Sequence, residues 1–270
     1  MTKEISSTFI ARTNPISVET SWKSLYKVAG ISALLAVLVA LTDICLTFLP
    51  AGAEQPGTMT AVDWFELFRQ NWFFGLRNLG LFPNILTLSL LIPVFLALYG
   101  VHRHVNPAYA MLAVMLSLIG TAIYLSNNAA FPMLALSGKY AAATEAEKSL
   151  LAAAGEAILA HGEDFTPGAF AGFLFGEIAI VTISLVMLRG CIFGKAAAYA
   201  GILGGLFLTI FTIWSTFVPV LFQVSMLLAM LGGLSSIVWY ILTARTLFRL
   251  SKPASEAKLQ SNAFVALGNE

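Results

Sequence analysis

Charge is scarce in this sequence. Asp, Glu, Lys and Arg make up 11% of its 270 residues, while 58% are hydrophobic, and so little charge cannot give long apolar runs a hydrated shell. Cysteine is nearly absent too. Cys45 and Cys191 fall at opposite ends of apolar segments, too far apart to meet the Cα separation of a disulfide, and neither belongs to a CxxC or Cys/His zinc spacing. Histidine occurs three times: His102 and His104 flank Arg103, two positions apart and off a common helical face, and His161 precedes a glycine, where it complements a helix end. No nucleophile elbow, phosphate loop or HExxH pattern is present. No metal or cofactor is therefore predicted, no catalytic residue stands out, and an enzyme is the less favoured class. The net charge of +1 gives no reason to expect nucleic acid as a partner.

What is abundant is apolar length. Six runs, 28–49, 81–101, 108–126, 169–188, 197–218 and 224–244, each approach the roughly 20 residues that a helix needs to cross a bilayer core. A lipid-exposed loop or sheet edge would leave backbone groups unpaired, so continuous helices are predicted. The fold class is all-α: a polytopic bundle of six transmembrane helices with both termini inside. Its organisation is a cytoplasmic segment over 1–24, a membrane domain over 25–250 and a cytoplasmic tail over 251–270. A cleavable leader ending at Ala51-Gly52-Ala53 is the competing reading, but its apolar region would be about twice the usual 7–15 residues.

The orientation rests on Lys and Arg near the spans. Lys3, Arg12, Lys23, Lys27, Arg103, Arg189, Lys195, Arg245, Arg249, Lys252 and Lys258 fall on one side. The other side holds Arg69, Arg77, Lys139 and Lys148 but also Glu54, Asp63, Glu66, Glu145, Glu147, Glu156, Glu163 and Asp164. The positive-inside rule makes the first side cytoplasmic. A bacterial cytoplasmic membrane is the expected location.

Two extracytoplasmic segments are too long for simple turns. In 60–74, Thr60 and Asp63 resemble a capping box, and Val62, Phe65, Phe68 and Trp72 recur at helical spacing, which predicts an interfacial helix or a lid across the bundle. In 144–160, Thr144 and Glu147 form a capping box and Leu150, Leu151, Ala154 and Ile158 mark one face of a second helix, read either as a solvated connector or as a docking surface.

Small residues mark packing. Gly168, Gly172 and Gly176 repeat every fourth position, and Gly201 and Gly205 do the same in the fifth span; such stripes let membrane helices approach closely, within one chain or across a homo-oligomer. Only Asp43 and Glu177 are acidic inside the spans. An ionised carboxylate at mid-membrane costs about 2.5–3.5 kcal/mol or more, so Glu177 is expected to face the bundle, pair with a donor or hold a proton. Asp43, Asn84, Asn127 and Asn128 lie toward the outer ends of their spans. With Arg69 or Arg77 as counter-ions they would line an outward-facing polar cleft above Glu177. Gly100 with Ala108-Tyr109-Ala110 recurs as Gly190 with Ala198-Tyr199-Ala200, a weak hint of a duplicated hairpin.

Several segments together resemble a known family. They are Tyr26-Lys-Val-Ala-Gly-Ile, Trp64-Phe, Leu125-Ser-Asn-Asn-Ala-Ala-Phe through Lys139-Tyr-Ala-Ala-Ala-Thr144, Val186-Met-Leu-Arg189, Ile192-Phe-Gly-Lys195 and Ala244-Arg-Thr-Leu-Phe-Arg249-Leu. Over most of 25–250 the chain resembles a family of uncharacterised bacterial six-helix membrane proteins, a domain of unknown function. The resemblance implies one membrane domain and brings no activity. Three function classes follow in order: a non-catalytic binding or accessory subunit of a membrane assembly, a small-solute or proton-coupled transporter centred on Glu177, and a lipid-active enzyme. The expected partners are membrane lipids and either a membrane protein or a second copy of the chain.

Overall fold

The computed structural model describes residues 15–47 and 59–252, with the side chains of 15–21, Phe82, Pro219 and Gln223 left aside. The Ala51-Gly52-Ala53 stretch and the two tails before 15 and after 252 lie outside the described residues. Among the described residues every regular element is a helix: α1 (Pro15–Thr47), α2 (Ala61–Gln70), α3 (Trp72–Asn78), α4 (Thr87–His102), α5 (Pro107–Asn127), α6 (Ala130–Ala142), α7 (Glu145–Gly162), α8 (Pro167–Gly190), α9 (Lys195–Phe217) and α10 (Phe222–Ser251). Six stretches are long and apolar enough to span a membrane; they fall on α1, α4, α5, α8, α9 and α10, and two of them also take in α6 and α7. α1 reaches back to Pro15, well before the apolar run begins.

The spanning helices pack in chain order. α1 lies on α4, α4 on α5, α5 on α8, α8 on α9, α9 on α10, and α10 returns to α1. Short turns make α4–α5, α8–α9 and α9–α10 antiparallel neighbours, while α1–α4 and α5–α8 are joined through intervening shorter helices, and the chain closes on itself as a ring. Large side chains fill it: Phe95, Leu98, Ile183, Met187, Trp239 and Leu247 are almost wholly buried, and the Phe95 and Trp239 rings stand 6.4 Å apart between α4 and α10.

Glycines set the closest approaches. A Cβ on Gly120 would lie 2.7 Å from the Gly172 carbonyl oxygen and 3.0 Å from the Gly176 nitrogen, which brings α5 and α8 into backbone contact. Gly205 sits against Val181 and the Glu177 carbonyl, and Gly201 against Ser184 and Trp239, which closes α9 onto α8 and α10. Gly168 serves a different purpose from its stripe partners, because its open side abuts the His161 backbone at the end of α7.

The four remaining helices, α2, α3, α6 and α7, pack on one another at one end of the ring and form a cap with its own core. Two sequence expectations are corrected here. The 60–74 segment is two helices, broken at Asn71, whose backbone N–H closes α2 on Leu67 O and whose side chain caps α3 by accepting from the Phe74 N–H at 3.3 Å. Its buried face is Ala61, Trp64, Phe65 and Phe68, whereas Val62 and Trp72 are exposed. In α7, Gly155, Leu159 and Gly162 are buried and Leu150 is 72% exposed, so the face is rotated from the one expected. The reason is that Gly155 lets α2 approach: a Cβ there would lie 2.7 Å from the Ala61 Cβ. Helix α6 has no counterpart among the sequence expectations. It follows α5 after a break at Asn128 and Ala129 and contributes Ala130 and Met133 to the cap core.

Candidate functional site

Where the cap meets the ring, a short run of backbone irregularity places the polar side chains. Gly80 adopts a left-handed conformation (φ +90°), and the next turn, Leu81–Leu86, is π-helical, with the Ile85 N–H bonded to the Gly80 oxygen. A wider turn of this kind re-aims side chains relative to an α-helix. Here it brings the Asn84 amide to Asp164 Oδ2 at 2.7 Å. Tyr124 at the end of α5 donates its hydroxyl to Asp164 Oδ1 at 2.7 Å. Asn128 donates to the Leu79 carbonyl (2.8 Å) and to the Tyr124 hydroxyl (3.0 Å), while its own oxygen accepts from the Ala130 N–H and starts α6. Only a glycine fits at position 80, since a Cβ would run into the Tyr124 hydroxyl and crowd Asp164.

Beside this group, Arg77 of α3 reaches α1. Its Nε donates to Asp43 Oδ1 at 2.8 Å, its Nη2 donates to the Asp43 carbonyl at 2.9 Å and to the Thr47 hydroxyl, and its Nη1 donates to Asn78. Arg77 is 7% exposed and Asp43 19%. A guanidinium offers a fixed fork of five donors, so it can tie a cap helix to a membrane helix by one side chain.

Of the residues singled out in the sequence, Asp43, Asn84 and Asn128 thus fall in one zone together with Arg77. Asn127 stands beside it, donating to the Gly168 carbonyl at 2.9 Å and joining α5 to the start of α8. Arg69 does not join: its side chain is 70% exposed and pairs with Glu66 at 3.8 Å. The expected open cleft is corrected as well. The cap covers the zone, and most of its polar groups are engaged with one another, as buried donors and acceptors are where water is excluded, while Asn78 Nδ2 is buried without a partner among the described residues. Tyr124, Asn78, Gly80 and Asp164 are members that hydropathy did not reveal. The one available signal was spacing, since Tyr124 precedes Asn128 by four positions on one helix face.

Glu177 occupies a separate place on α8. It is 7% exposed, and the Thr212 hydroxyl of α9 donates to its Oε1 at 2.6 Å. Its Oε2 is buried without a hydrogen-bond partner. Among the described residues no ion pair reaches it. The far end of the ring holds His102, fully buried, with Nδ1 at 2.9 Å from the Leu98 carbonyl and its ring stacked on Phe193. Among the described residues no three His, Cys, Asp or Glu side chains gather as a metal site would require.

Comparison with known proteins places this architecture without assigning it an activity. No curated protein and no solved structure matches the chain significantly. Residues 73–244, from α3 to the last turns of α10, match one family throughout, and the protein is a member of that family, the domain of unknown function DUF4386.

Proposed function

We propose that the protein is a non-catalytic binding or accessory component of a membrane assembly, set in a bacterial inner membrane with both termini in the cytoplasm and the cap outside. The orientation is supported by charge. Lys23, Lys27, Arg103, Arg189, Lys195, Arg245, Arg249 and Lys252 gather at the end of the ring opposite the cap, while Asp63, Glu66, Glu145, Glu147 and Glu156 lie in the cap. A reporter fused at Lys148 is expected to read outside and one at Lys252 inside; a cytoplasmic signal at Lys148 overturns this.

The observation that carries the binding role is the cap itself. It is a folded layer with its own core, joined to the ring by engaged polar groups, and it still exposes Trp72 (59%), Phe131 (55%) and Leu150 (72%). Exposed apolar side chains mark a protein contact when they gather in one patch, where large aromatic ones act as its anchors. The occupant that fits is another membrane protein chain, because these side chains sit on elements that project from the ring's end rather than on its lipid-facing flank. Native mass spectrometry after gentle extraction tests it. The expected result is one stoichiometric protein partner, lost when Trp72, Phe131 and Leu150 are all changed to Ser in a chain that keeps its melting temperature. Extraction with lipid alone, or a partner indifferent to the triple change, overturns the reading.

A further inference from the structure

The geometry points to Glu177 as an occluded proton-binding site in the membrane interior, with the proton carried on Oε2, Thr212 fixing the carboxyl group and Phe165 closing it off from the cap. Three observations converge on it. The first is the carboxyl itself. Its two oxygens are unequal, since Oε1 accepts the Thr212 hydroxyl and Oε2 is buried with no partner. A carboxylic acid has the same asymmetry, with one carbonyl oxygen that accepts and one hydroxyl oxygen that carries hydrogen.

The second is the charge environment. α5, α9, α4 and α7 pack on α8. Of their titratable groups, Tyr124 of α5 is spent on Asp164; Tyr109 of α5, Lys195 and Tyr199 of α9, and Tyr99 and His102 of α4 all lie toward the far end. The acids Glu145, Glu147 and Glu156, with Lys148 and His161, belong to α7 in the cap. Nothing among these groups neutralises a carboxylate at Glu177, whereas a bound proton does so directly. Thr209, one turn before Thr212 on α9, spends its hydroxyl on the Gly205 carbonyl at 2.7 Å.

The third is the cover. Phe165 precedes α8 with a left-handed backbone (φ +66°), a conformation that costs a side-chain-bearing residue roughly 1 kcal/mol or more. The strained backbone aims its ring between α9 and α10, edge-on to Phe211 at 5.2 Å and to Phe222 at 5.8 Å. Phe211 precedes Thr212 on α9, so the aromatic cluster lies within the same turn of that helix, on its α10 side. The unsatisfied acid without counter-charge lies in the α8–α9 seam and the strained aromatic cluster in the adjoining α9–α10 seam, and together they describe a site that exchanges a proton only when the cover moves. The inference is independent of what binds the cap.

Infrared difference spectroscopy of the full chain in liposomes, recorded between acidic and alkaline buffer, reads the carboxyl directly. The expected result is a protonated carboxyl C=O band that is lost at alkaline pH and is missing from Glu177→Gln. In Thr212→Val the band moves to higher wavenumber, because the carbonyl oxygen loses its donor. In Phe165→Ala the band responds faster after a pH jump. A difference spectrum identical in wild type and Glu177→Gln overturns the proposal, as does a band unmoved by Thr212→Val. A Phe165→Ala response no faster than wild type removes the cover from it.

Discussion

Arg77 and Asp43 show how much a single side chain can hold in this protein. Removing one partner of a buried pair leaves the other charged and dry, at a cost of about 3 to 5 kcal/mol. Asp43→Asn is accordingly expected to lower cap stability by up to that amount, since it strands the 7% exposed Arg77 among neutral acceptors, and Arg77→Met by less, because the Asp43 it leaves is 19% exposed and keeps contact with solvent. A double-mutant cycle on thermal unfolding in detergent checks this, and strict additivity would deny the pairing. The pair was half legible in the sequence. An acid inside an apolar run announces a need for a partner, but Arg69 and Arg77 answer that need equally until the break at Asn71 turns one outward and the other toward α1.

At the level of elements, identical residues in one stripe have unequal importance. A Cβ on Gly172 would lie 2.8 Å from the Tyr124 Cβ and 3.1 Å from its backbone, while one on Gly176 meets only Leu88 Cδ2 at 3.9 Å. Gly172→Val is therefore expected to cost at least about 1–3 kcal/mol, and Gly176→Ala to be neutral or to gain a few tenths from helix propensity. Melting temperatures of the two variants decide it. The α2 start offers a second test. Thr60 and Asp63 exchange hydrogen bonds, Asp63 N–H to the Thr60 hydroxyl at 3.3 Å and Thr60 N–H to Asp63 Oδ2 at 2.8 Å. The Thr60 hydroxyl first, and its backbone N–H second, hold Asp63 below the usual carboxylate range. Because the folded value is the lower one, this support is complete above the unfolded value near about 4 and fades as pH falls through the folded value. Thr60→Ala is expected to cost about 1 kcal/mol near neutral pH, with the difference shrinking in strong acid. The capping boxes could be read from the chain because they are local, four residues wide. The buried face of α2 was read in part, through Phe65 and Phe68, whereas in α7 alanines are spread round the helix and the Gly155 contact selects the side.

For the whole molecule, two cores imply two units of stability. The ring core and the cap core share no buried residue among those described, and polar ties join them. Phe65→Ala, which empties the cap core, is expected to cost about 3–5 kcal/mol there and leave the ring intact. Limited proteolysis should then cut α2, α6 and α7 while α8–α10 survive as a protected fragment; simultaneous loss of both would mean one cooperative unit. Six spans and the all-α class followed from hydropathy because the bilayer imposes their length. The order of helices around the ring did not, since lipid-facing and neighbour-facing residues are equally apolar, and it came out as the order of synthesis.

That ring order carries a consequence for how the protein is made. Helices inserted one after another can each settle on the one just completed, so five of the six seams form while translation continues. The last seam joins α1 to α10, where Gly30 lies against Phe248. Until α10 has left the ribosome, the face of α1 that carries Gly30 has lipid where its partner belongs. A chain stopped before Phe222 is thus an open arc with two exposed small-residue flanks, at Gly30 of α1 and at Gly201 and Gly204 of α9, the form of this protein that a membrane quality-control protease or another unfinished copy would meet.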